Sequence, residues 1–411
     1  MIVDLVQRGG GIGGTMAIVG KAKGWWTWLA VLAVVAAVVA LVVWAFLAGG
    51  KLDERLERIS WISGGLLGAG VLVVGTVRWA WRRSGRLGAA APTEDILAQA
   101  KKLLADLVKQ QWQQEERLRS LADPDPIPVR WRTPDAAEVM DHAINIDPSA
   151  APPGGPAGEP ARLWWTASSA DIGALADRFR RTRRRRLVIL GGPGTGKTTL
   201  AMQLLLHLLA DRDHHPGEPV PVLLPVAGWD TRRHPRLQDW IADRLTSDYP
   251  ALRAPELGAQ VASALAWRGH ILPVLDGLDE LPPPVQTAVI TALNRSLGGD
   301  DQLILTSRTT EFTAAISAAG DVITSAAVLE PLPLTPAAAA DYLTRCLPPS
   351  PGPAWQHTLT ALRATPPADQ TRPGQTRPGQ ARRPAAALAD LTTTPLGLWL
   401  VRTVYTEPGA D

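Results

Sequence analysis

The sequence is poor in cysteine, tyrosine and phenylalanine, and its charges are almost balanced. Cys346 is its single cysteine, which rules out an internal disulfide and indicates a reducing compartment. We interpret this thiol as a small core residue rather than a nucleophile, because no histidine partner is suggested nearby. A formal net charge of +3 argues against a broad polyanion-binding surface, so we predict no nucleic-acid partner.

The chain is organised around residues 187–200, LVILGGPGTGKTTL. An apolar run predicts a strand, a glycine-rich loop follows, and a second apolar segment predicts a helix. The loop glycines let successive backbone N–H groups point at phosphate oxygens, and the helix N-terminus adds its dipole. The predicted nucleotide-binding residues are Gly191, Gly192, Pro193, Gly194, Thr195, Gly196, Lys197, Thr198 and Thr199. We expect Lys197 to reach the β- and γ-phosphates and the Thr198 hydroxyl to bind Mg²⁺.

A second apolar run ends in the acidic segment DGLDE at residues 276–280. A carboxylate at the carboxyl end of a central strand lies beside the phosphate loop in a doubly wound sheet. Asp276 is therefore predicted to hold Mg²⁺ through its waters, since Mg²⁺ gives up its hydration shell reluctantly. Asp279 or Glu280 is predicted to orient or deprotonate the attacking water. An acidic strand-to-helix turn without a metal is the alternative.

A third buried strand, QLILTS at residues 302–307, ends at Arg308. An arginine at this edge of the sheet can contact the γ-phosphate and sense its presence, and a structural salt bridge is the alternative. Further strands are predicted at Val220–Val226 and Val322–Leu332. Because strands alternate with helices, we predict an α/β fold: a P-loop NTPase whose parallel sheet is flanked by helices.

Two long uncharged runs near the amino terminus, residues 25–48 and 59–77, predict a transmembrane hairpin over residues 25–81, with spans at residues 25–48 and 59–79. Lys and Arg lie in the preceding tail, residues 1–24, and at and after the second span. The positive-inside rule then places both termini and the NTPase domain in the cytoplasm of a multi-pass cell-membrane protein. The lipid bilayer is thus a predicted partner, and a buried soluble hairpin is the alternative.

Residues 82–160 form a predicted connector, with an amphipathic helix over residues 93–121 and a Pro/Gly-rich linker at its end. The apolar stripe of the helix is suited either to pairing with a second copy or to packing on the P-loop domain. A short strand is predicted at Val129–Trp131. An arginine-rich stretch at residues 180–186 is interpreted as a solvated helix end, with contact to anionic lipid as the alternative.

Three motifs in this order, GGPGTGKTTL, HILPVLDGLDEL and LILTSR, resemble the NACHT family of signal-transduction NTPases within the AAA+-related P-loop class. The connector is similar to that of membrane-anchored actinobacterial members. The NTPase domain would span residues 161–335 and a helical lid residues 336–411. The segment LTTTPLGLWL resembles the proline motif of that lid, which implies that Pro395 contacts the base. Thr393 stands where the family has glycine.

The resemblance implies a switch in which ADP holds the protein closed, and ATP with an upstream signal opens it to form a homo-oligomer. ATP and GTP both remain open as ligands, together with Mg²⁺. We expect only a partial lid, because the sequence ends before the winged-helix region and sensor repeats of the family. A nucleotide-binding membrane scaffold that does not hydrolyse its ligand is the alternative function.

Overall fold

A mixed sheet of seven strands lies at the centre of the described structure. The computed structural model describes residues 92–120, 125–134, 137–147, 165–365 and 384–406. The chain divides into two units, Met1–Ala89 and Ala90–Asp411, and every described residue belongs to the second. The predicted tail and membrane hairpin lie outside the described residues. No helix within those residues combines the length and apolar character that a membrane span requires.

The sheet has five parallel strands and two antiparallel ones. In chain order the strands are β1 (Arg130–Arg132), β2 (Thr166–Ser168), β3 (Arg186–Leu190), β4 (Val220–Pro225), β5 (Ile271–Asp276), β6 (Leu303–Ser307) and β7 (Ala326–Pro331). Their spatial order is β2-β1-β7-β3-β6-β5-β4, with β3 to β7 parallel and β1 antiparallel to both its neighbours.

The predicted parallel sheet is therefore confirmed for its five-stranded core, and the expectation of a purely parallel sheet is wrong. The two antiparallel strands come from the connector and the start of the NTPase segment. β3 is buried along its whole length, as expected for a strand covered by helices on both faces, whereas β1 alternates between exposed and buried residues. A three-residue strand with one exposed face can join the sheet edge without a helical crossover.

Helices cover the sheet and form a separate layer after it. They are α1 (Glu94–Leu118), α2 (Ala143–Ile146), α3 (Ile172–Arg181), α4 (Lys197–Ala210), α5 (Leu237–Asp248), α6 (Val261–Trp267), α7 (Pro283–Ser296), α8 (Thr309–Ala319), α9 (Pro336–Cys346), α10 (Pro353–Ala364), α11 (Pro384–Leu391) and α12 (Pro395–Thr406). Helices α9 to α12 share a small core of their own, which includes Leu343, Leu362 and Leu398. This layer is the described part of the predicted helical lid.

The predicted amphipathic helix of the connector is present as α1. Thr93 caps it, because its hydroxyl accepts a hydrogen bond from the Ile96 N–H at 3.4 Å. Leu97, Leu104 and Val108 of the apolar stripe are buried in the core of the P-loop domain, where α1 packs against α4 and α6. The stripe is thus covered within the same chain, which is the second of the two arrangements expected from the sequence.

The arginine-rich stretch is not a solvated helix end throughout. Helix α3 ends at Arg181, and Arg186, the first residue of β3, is fully buried. Its guanidinium donates to the carbonyl oxygens of Asp301 at 2.9 Å and Thr324 at 2.8 Å, and also to that of Gly298. Burial lowers the pKa of Arg186 to about 10. Arg186 thereby fixes the two loops that lead into β6 and β7, the neighbours of β3.

Candidate functional site

The phosphate loop joins β3 to α4 through glycines in left-handed conformations. Gly194 and Gly196 have φ angles of 71° and 89°, and α4 begins directly after Gly196. The first N–H groups of a helix lack intrahelical partners, so the start of α4 directs them toward an anion lying over the loop. Residues 191–199, the nine predicted phosphate-loop residues, therefore form one continuous segment at the carboxyl end of β3, made of the loop and the first residues of α4.

Lys197 lies over this loop. Its ammonium donates to the carbonyl oxygens of Gly191 at 3.1 Å and Gly192 at 3.0 Å. Burial lowers the pKa of Lys197, and the nearby Asp279 carboxylate opposes that effect. The ammonium is thus held beside the anion-binding N–H groups, where it can contact phosphate oxygens.

Asp276 connects the end of the phosphate loop to β6 through hydrogen bonds. It is the last residue of β5, and its Oδ1 accepts hydrogen bonds from the Thr198 hydroxyl at 2.9 Å and the Thr306 hydroxyl at 2.6 Å. The N–H of Gly277 donates to the Thr306 hydroxyl at 3.0 Å. Carboxyl ends of parallel strands meet at one edge of a sheet, and this brings the predicted metal-binding residues together.

The oxygen ligands at this edge suit magnesium. Mg²⁺ is bound in such sites by one or two protein oxygens, with water and phosphate completing its octahedral shell. Thr198 and Asp276 supply a hydroxyl and a carboxylate within hydrogen-bonding distance of each other. Among the described residues no group of three or more acidic, histidine or cysteine side chains forms a metal cage. The donor set therefore fits a cation shared with phosphates.

The other predicted catalytic residues lie next to this edge. Arg308 follows β6, and its Nε lies 2.9 Å from the Asp279 Oδ2. Asp279 and Glu280 belong to a 3-10 turn, Leu278–Glu280; the Asp279 side chain is only 9% exposed, whereas Glu280 is exposed. Asp279, one of the residues predicted to activate water, thus forms an ion pair with Arg308, which is predicted to sense the γ-phosphate.

The lid contacts the phosphate loop through the start of α12. The Leu396 N–H donates to the Gly194 carbonyl oxygen at 3.1 Å. Pro395, the predicted base contact, lies against Gly196, where an added β-carbon would be 3.7 Å from the proline Cγ. A main-chain hydrogen bond and a proline contact therefore connect the lid to the loop.

A cavity of ≈ 440 Å³ opens beside these contacts. Its wall comes from the end of α1, the connector, α4 and the lid. The residues there that the sequence analysis did not identify as site residues are Leu118, Arg119, Ser120, Ile127, Val129, Trp131, Ser169, Leu200, Gln203, Tyr342, Leu396 and Trp399. A mostly apolar cavity with a few polar groups, adjoining a phosphate loop, is suited to a base and its ribose.

Two sequence signals point to this wall. Thr199, Leu200 and Gln203 recur at helical spacing after the loop, and they share one face of α4. The predicted short strand at Val129–Trp131 places an apolar segment at the sheet edge. Neither signal predicts which helix of the lid lines the cavity, because the position of the lid helices depends on tertiary packing.

Comparison with known families agrees with this geometry. Residues 185–349 match the model of the NACHT domain. The matched segment runs from the start of β3 through the first lid helix, α9, and it supports a NACHT P-loop NTPase that binds nucleotide. A search of curated proteins finds no match to the chain.

Proposed function

We propose that the chain is a membrane-anchored, Mg²⁺-dependent NTPase that acts as a nucleotide-controlled signalling switch. The observation that carries the proposal is the hydrogen bond between the Thr198 hydroxyl and the Asp276 carboxylate at 2.9 Å, next to the Lys197 ammonium. This combination of a phosphate loop, an oxygen pair for a cation and a lysine is what phosphoryl transfer requires.

The residues have separate parts in the proposed reaction. The loop N–H groups and Lys197 would hold the β- and γ-phosphates, while Thr198 and Asp276 would hold Mg²⁺. When bound, Mg²⁺ would supply positive charge that neutralises the phosphate oxygens. Asp279 or Glu280 orients a water molecule and accepts its proton. That water attacks the γ-phosphorus, the bond to the β-phosphate oxygen breaks, and nucleoside diphosphate and phosphate result.

Arg308 couples hydrolysis to the presence of a γ-phosphate in the site. Its guanidinium lies 2.9 Å from Asp279, so it has to exchange this carboxylate for the γ-phosphate before Asp279 is available to water. Asp279 is nearly buried, and a charged hydrogen bond at such a position is stronger than one between exposed groups. We propose that this exchange is how the protein senses a triphosphate.

The switch itself is proposed to act through the lid. The Leu396 N–H bonds to the phosphate loop at Gly194, and Pro395 lies against Gly196. A change in what the loop binds therefore alters the surface on which α12 rests. A ligand can shift such an equilibrium only by its different affinity for the two lid positions, and these contacts supply that difference.

Membrane anchoring and activation by homo-oligomerisation complete the proposal. The support for anchoring is the pair of uncharged runs, residues 25–48 and 59–77, flanked by basic segments. The NTPase domain is then cytoplasmic. Protease treatment of inverted membrane vesicles tests this: the domain should be cleaved without detergent, and its protection would contradict the proposed topology.

Phosphate release from the purified full chain tests the enzymatic part. Arg308→Ala should slow hydrolysis about 100-fold while nucleotide affinity changes little, because the guanidinium acts mainly on the γ-phosphate in the transition state. Arg363→Ala is a matched control: Arg363 is 45% exposed against 47% for Arg308, and it pairs with Asp341 in the lid.

The non-hydrolysing scaffold is the second candidate. It is favoured by the same Arg308–Asp279 pair, since a carboxylate that stays bound to arginine does not activate water. Tight nucleotide binding with no phosphate release from the wild-type protein would support the scaffold and contradict the NTPase.

A further inference from the structure

Residues 332–335 form the hinge segment between β7, in the sheet, and α9, the first lid helix. The Leu332 N–H donates to the Arg130 carbonyl oxygen at 2.7 Å. The Leu334 N–H donates to the Thr393 carbonyl oxygen at 2.9 Å. The hinge segment is therefore bonded on one side to the connector and on the other to the turn that precedes α12.

Residues 125–132 of the connector, the connector strap, contact both the sheet and the lid. At the carboxyl end of the strap, β1 pairs antiparallel with β7. Ile127 packs against the main core and also against the separate core of the lid. At the amino end, the Asp125 Oδ2 lies 3.1 Å from the Arg345 Nε on α9. The strap is thus attached to the structure on both sides of the hinge segment.

The attachments of the strap differ in strength. The Ser169 hydroxyl, after β2, donates to the Ile127 carbonyl oxygen at 2.7 Å and accepts from the Val129 N–H at 2.8 Å. Ser169 is buried, so breaking these bonds leaves polar groups unpaired. The ion pair between Asp125 and Arg345 is exposed, and such pairs contribute little to stability. The lid therefore separates from the strap more readily than the strap separates from the sheet.

The bonds at the hinge segment continue to the phosphate loop. Thr393, whose carbonyl oxygen accepts from the hinge segment, lies two residues before Pro395, the first residue of α12. The Leu396 N–H of α12 donates to the Gly194 carbonyl oxygen at 3.1 Å. Because a helix moves as a stiff unit, a lid displacement that breaks the hinge bonds also disturbs the bond at the phosphate loop.

We propose that the connector strap holds the lid against the phosphate loop, and that separation of the lid from the strap releases the lid from the loop. The inference rests on the proposed nucleotide-binding function and assigns a point of control over that site. The strap precedes the NTPase segment in the chain. A rearrangement upstream of residue 125 that displaces the strap would thereby reach the nucleotide site through the lid.

Hydrogen exchange of the purified full chain tests the coupling without a variant. Pro331 and Pro333 have no amide hydrogen, so exchange within residues 331–334 comes from Leu332 and Leu334 alone. Saturating ATP with Mg²⁺ should slow this exchange about tenfold, because a ligand that prefers the attached lid shifts the equilibrium toward it. Equilibrium binding of ATP to the same preparation shows separately whether the nucleotide is bound.

Variants of the strap, measured without nucleotide, assign the coupling to its residues. Asp125→Ala removes the exposed ion pair with Arg345. Exchange in residues 331–334 and at the Leu396 amide should become about threefold faster, since such a pair is weak. Ile127→Ala removes apolar contacts with both cores, and the same exchange should become about tenfold faster.

Asp341→Ala is the matched control. Asp341 is 61% exposed against 58% for Asp125, and each lies 3.1 Å from an arginine of the lid. The partner of Asp341 is Arg363 on α10, so this pair lies within the lid and does not reach the strap. Exchange in residues 331–334 and at Leu396 should stay at the wild-type rate. Reversal of both charges, Asp125→Arg with Arg345→Asp, should restore the exchange that Asp125→Arg alone makes faster.

The outcomes separate this inference from the proposed function. Bound ATP that leaves exchange in residues 331–334 unchanged would overturn the coupling and leave nucleotide binding intact. Strap variants with wild-type exchange at Leu396 would also overturn it, as would an Asp341→Ala variant with exchange as fast as that of Asp125→Ala. Failure of the wild-type protein to bind ATP would instead overturn the proposed function.

Discussion

The two ends of the candidate nucleotide site are built in different ways. The phosphate end consists of one continuous segment, residues 191–199, together with Asp276 and Arg308 at the ends of neighbouring strands. The base end is assembled from the connector, including the end of α1, and from α4 and α12, and these three parts are far apart in the sequence. The phosphate end depends on local backbone conformation, whereas the base end depends on how separate elements pack. A short sequence motif therefore predicts the phosphate end, whereas no short motif predicts the base end.

The phosphate end is expected to set the affinity for any nucleoside triphosphate, and the base end is expected to set the ratio of ATP to GTP affinity. Every nucleoside triphosphate has the same phosphates, so contacts at residues 191–199 bind all of them alike. In the proposed function, contacts in the cavity involve the base, which is where ATP and GTP differ. Substitutions at the phosphate end should weaken all nucleotides equally, and substitutions at the base end should change their ratio.

Among the variants that test this comparison, Lys197→Ala should cause the largest loss of nucleotide affinity. Loss of the ammonium removes charged hydrogen bonds to the phosphates, so the affinity for ATP and GTP should fall about 100-fold each, with an unchanged ratio. Equilibrium binding of both nucleotides measures it, with Lys102→Ala, an exposed lysine on α1, as the control. Retained affinity in Lys197→Ala would contradict the assignment of the phosphate end.

Asp276→Asn should have the next largest effect, and only with magnesium. The amide still accepts hydrogen bonds from the hydroxyls of Thr198 and Thr306, but it lacks the charge that favours a cation. Nucleotide affinity should therefore drop about 30-fold in Mg²⁺. In EDTA the variant and the wild-type protein should bind nucleotide equally. A difference that persists in EDTA would mean that Asp276 acts on the nucleotide without a metal.

Gly194→Ala should disturb the contact that joins the two ends. A β-carbon there would lie 2.9 Å from the Leu396 side chain, on a residue whose φ is +71°. We expect nucleotide affinity to fall about tenfold, from backbone strain and the displaced lid together. Hydrogen exchange at the Leu396 amide should become faster.

Gly320→Ala is the control for general destabilisation by strain at a left-handed glycine. Gly320 has a φ of +72°, and an added β-carbon there meets nothing within 4 Å. This variant carries backbone strain at a position outside the phosphate loop and without the lid contact. It should leave nucleotide affinity and exchange at Leu396 unchanged; a similar loss of affinity would assign the effect of Gly194→Ala to general destabilisation of the protein.

The pH dependence of binding should give the smallest effect. Burial holds the pKa of Lys197 below its ordinary value of 10.5, so the ammonium loses its proton at a lower pH than an exposed lysine. Because only the charged form attracts phosphate, nucleotide affinity should decrease as pH rises through the alkaline range. The affinity of Lys197→Ala should stay flat over this range. A parallel decrease in that variant would assign the titration to another group.

The sequence predicted the parts of the molecule whose causes are local. The strand before the phosphate loop, the loop itself and Asp276 at the end of β5 were identified from apolar runs followed by characteristic residues. The predicted helix over residues 93–121 lies at Glu94–Leu118, and its threonine cap precedes it directly. Pro395 was identified by resemblance, and it lies against the phosphate loop.

The features that the sequence did not reveal depend on partners distant in the chain. Arg186 was grouped with neighbouring arginines as solvated, because its carbonyl acceptors at Asp301 and Thr324 are separated from it by more than a hundred residues. The antiparallel strands β1 and β2 were missed as members of the central sheet, since three residues give too short a pattern. Gln203, which lines the cavity, lies in a helix that was predicted from its apolar residues alone.

The hydrogen bond from the Leu396 N–H to the Gly194 carbonyl oxygen has a kinetic consequence. Helix α12 forms one wall of the cavity, and this hydrogen bond connects it to the loop that would hold the phosphates. We propose that a nucleotide in this cavity leaves only after the hydrogen bond between Leu396 and Gly194 has opened. The residence time of the product would then follow from how often α12 detaches, so exchange of diphosphate for triphosphate would run more slowly than diffusion allows.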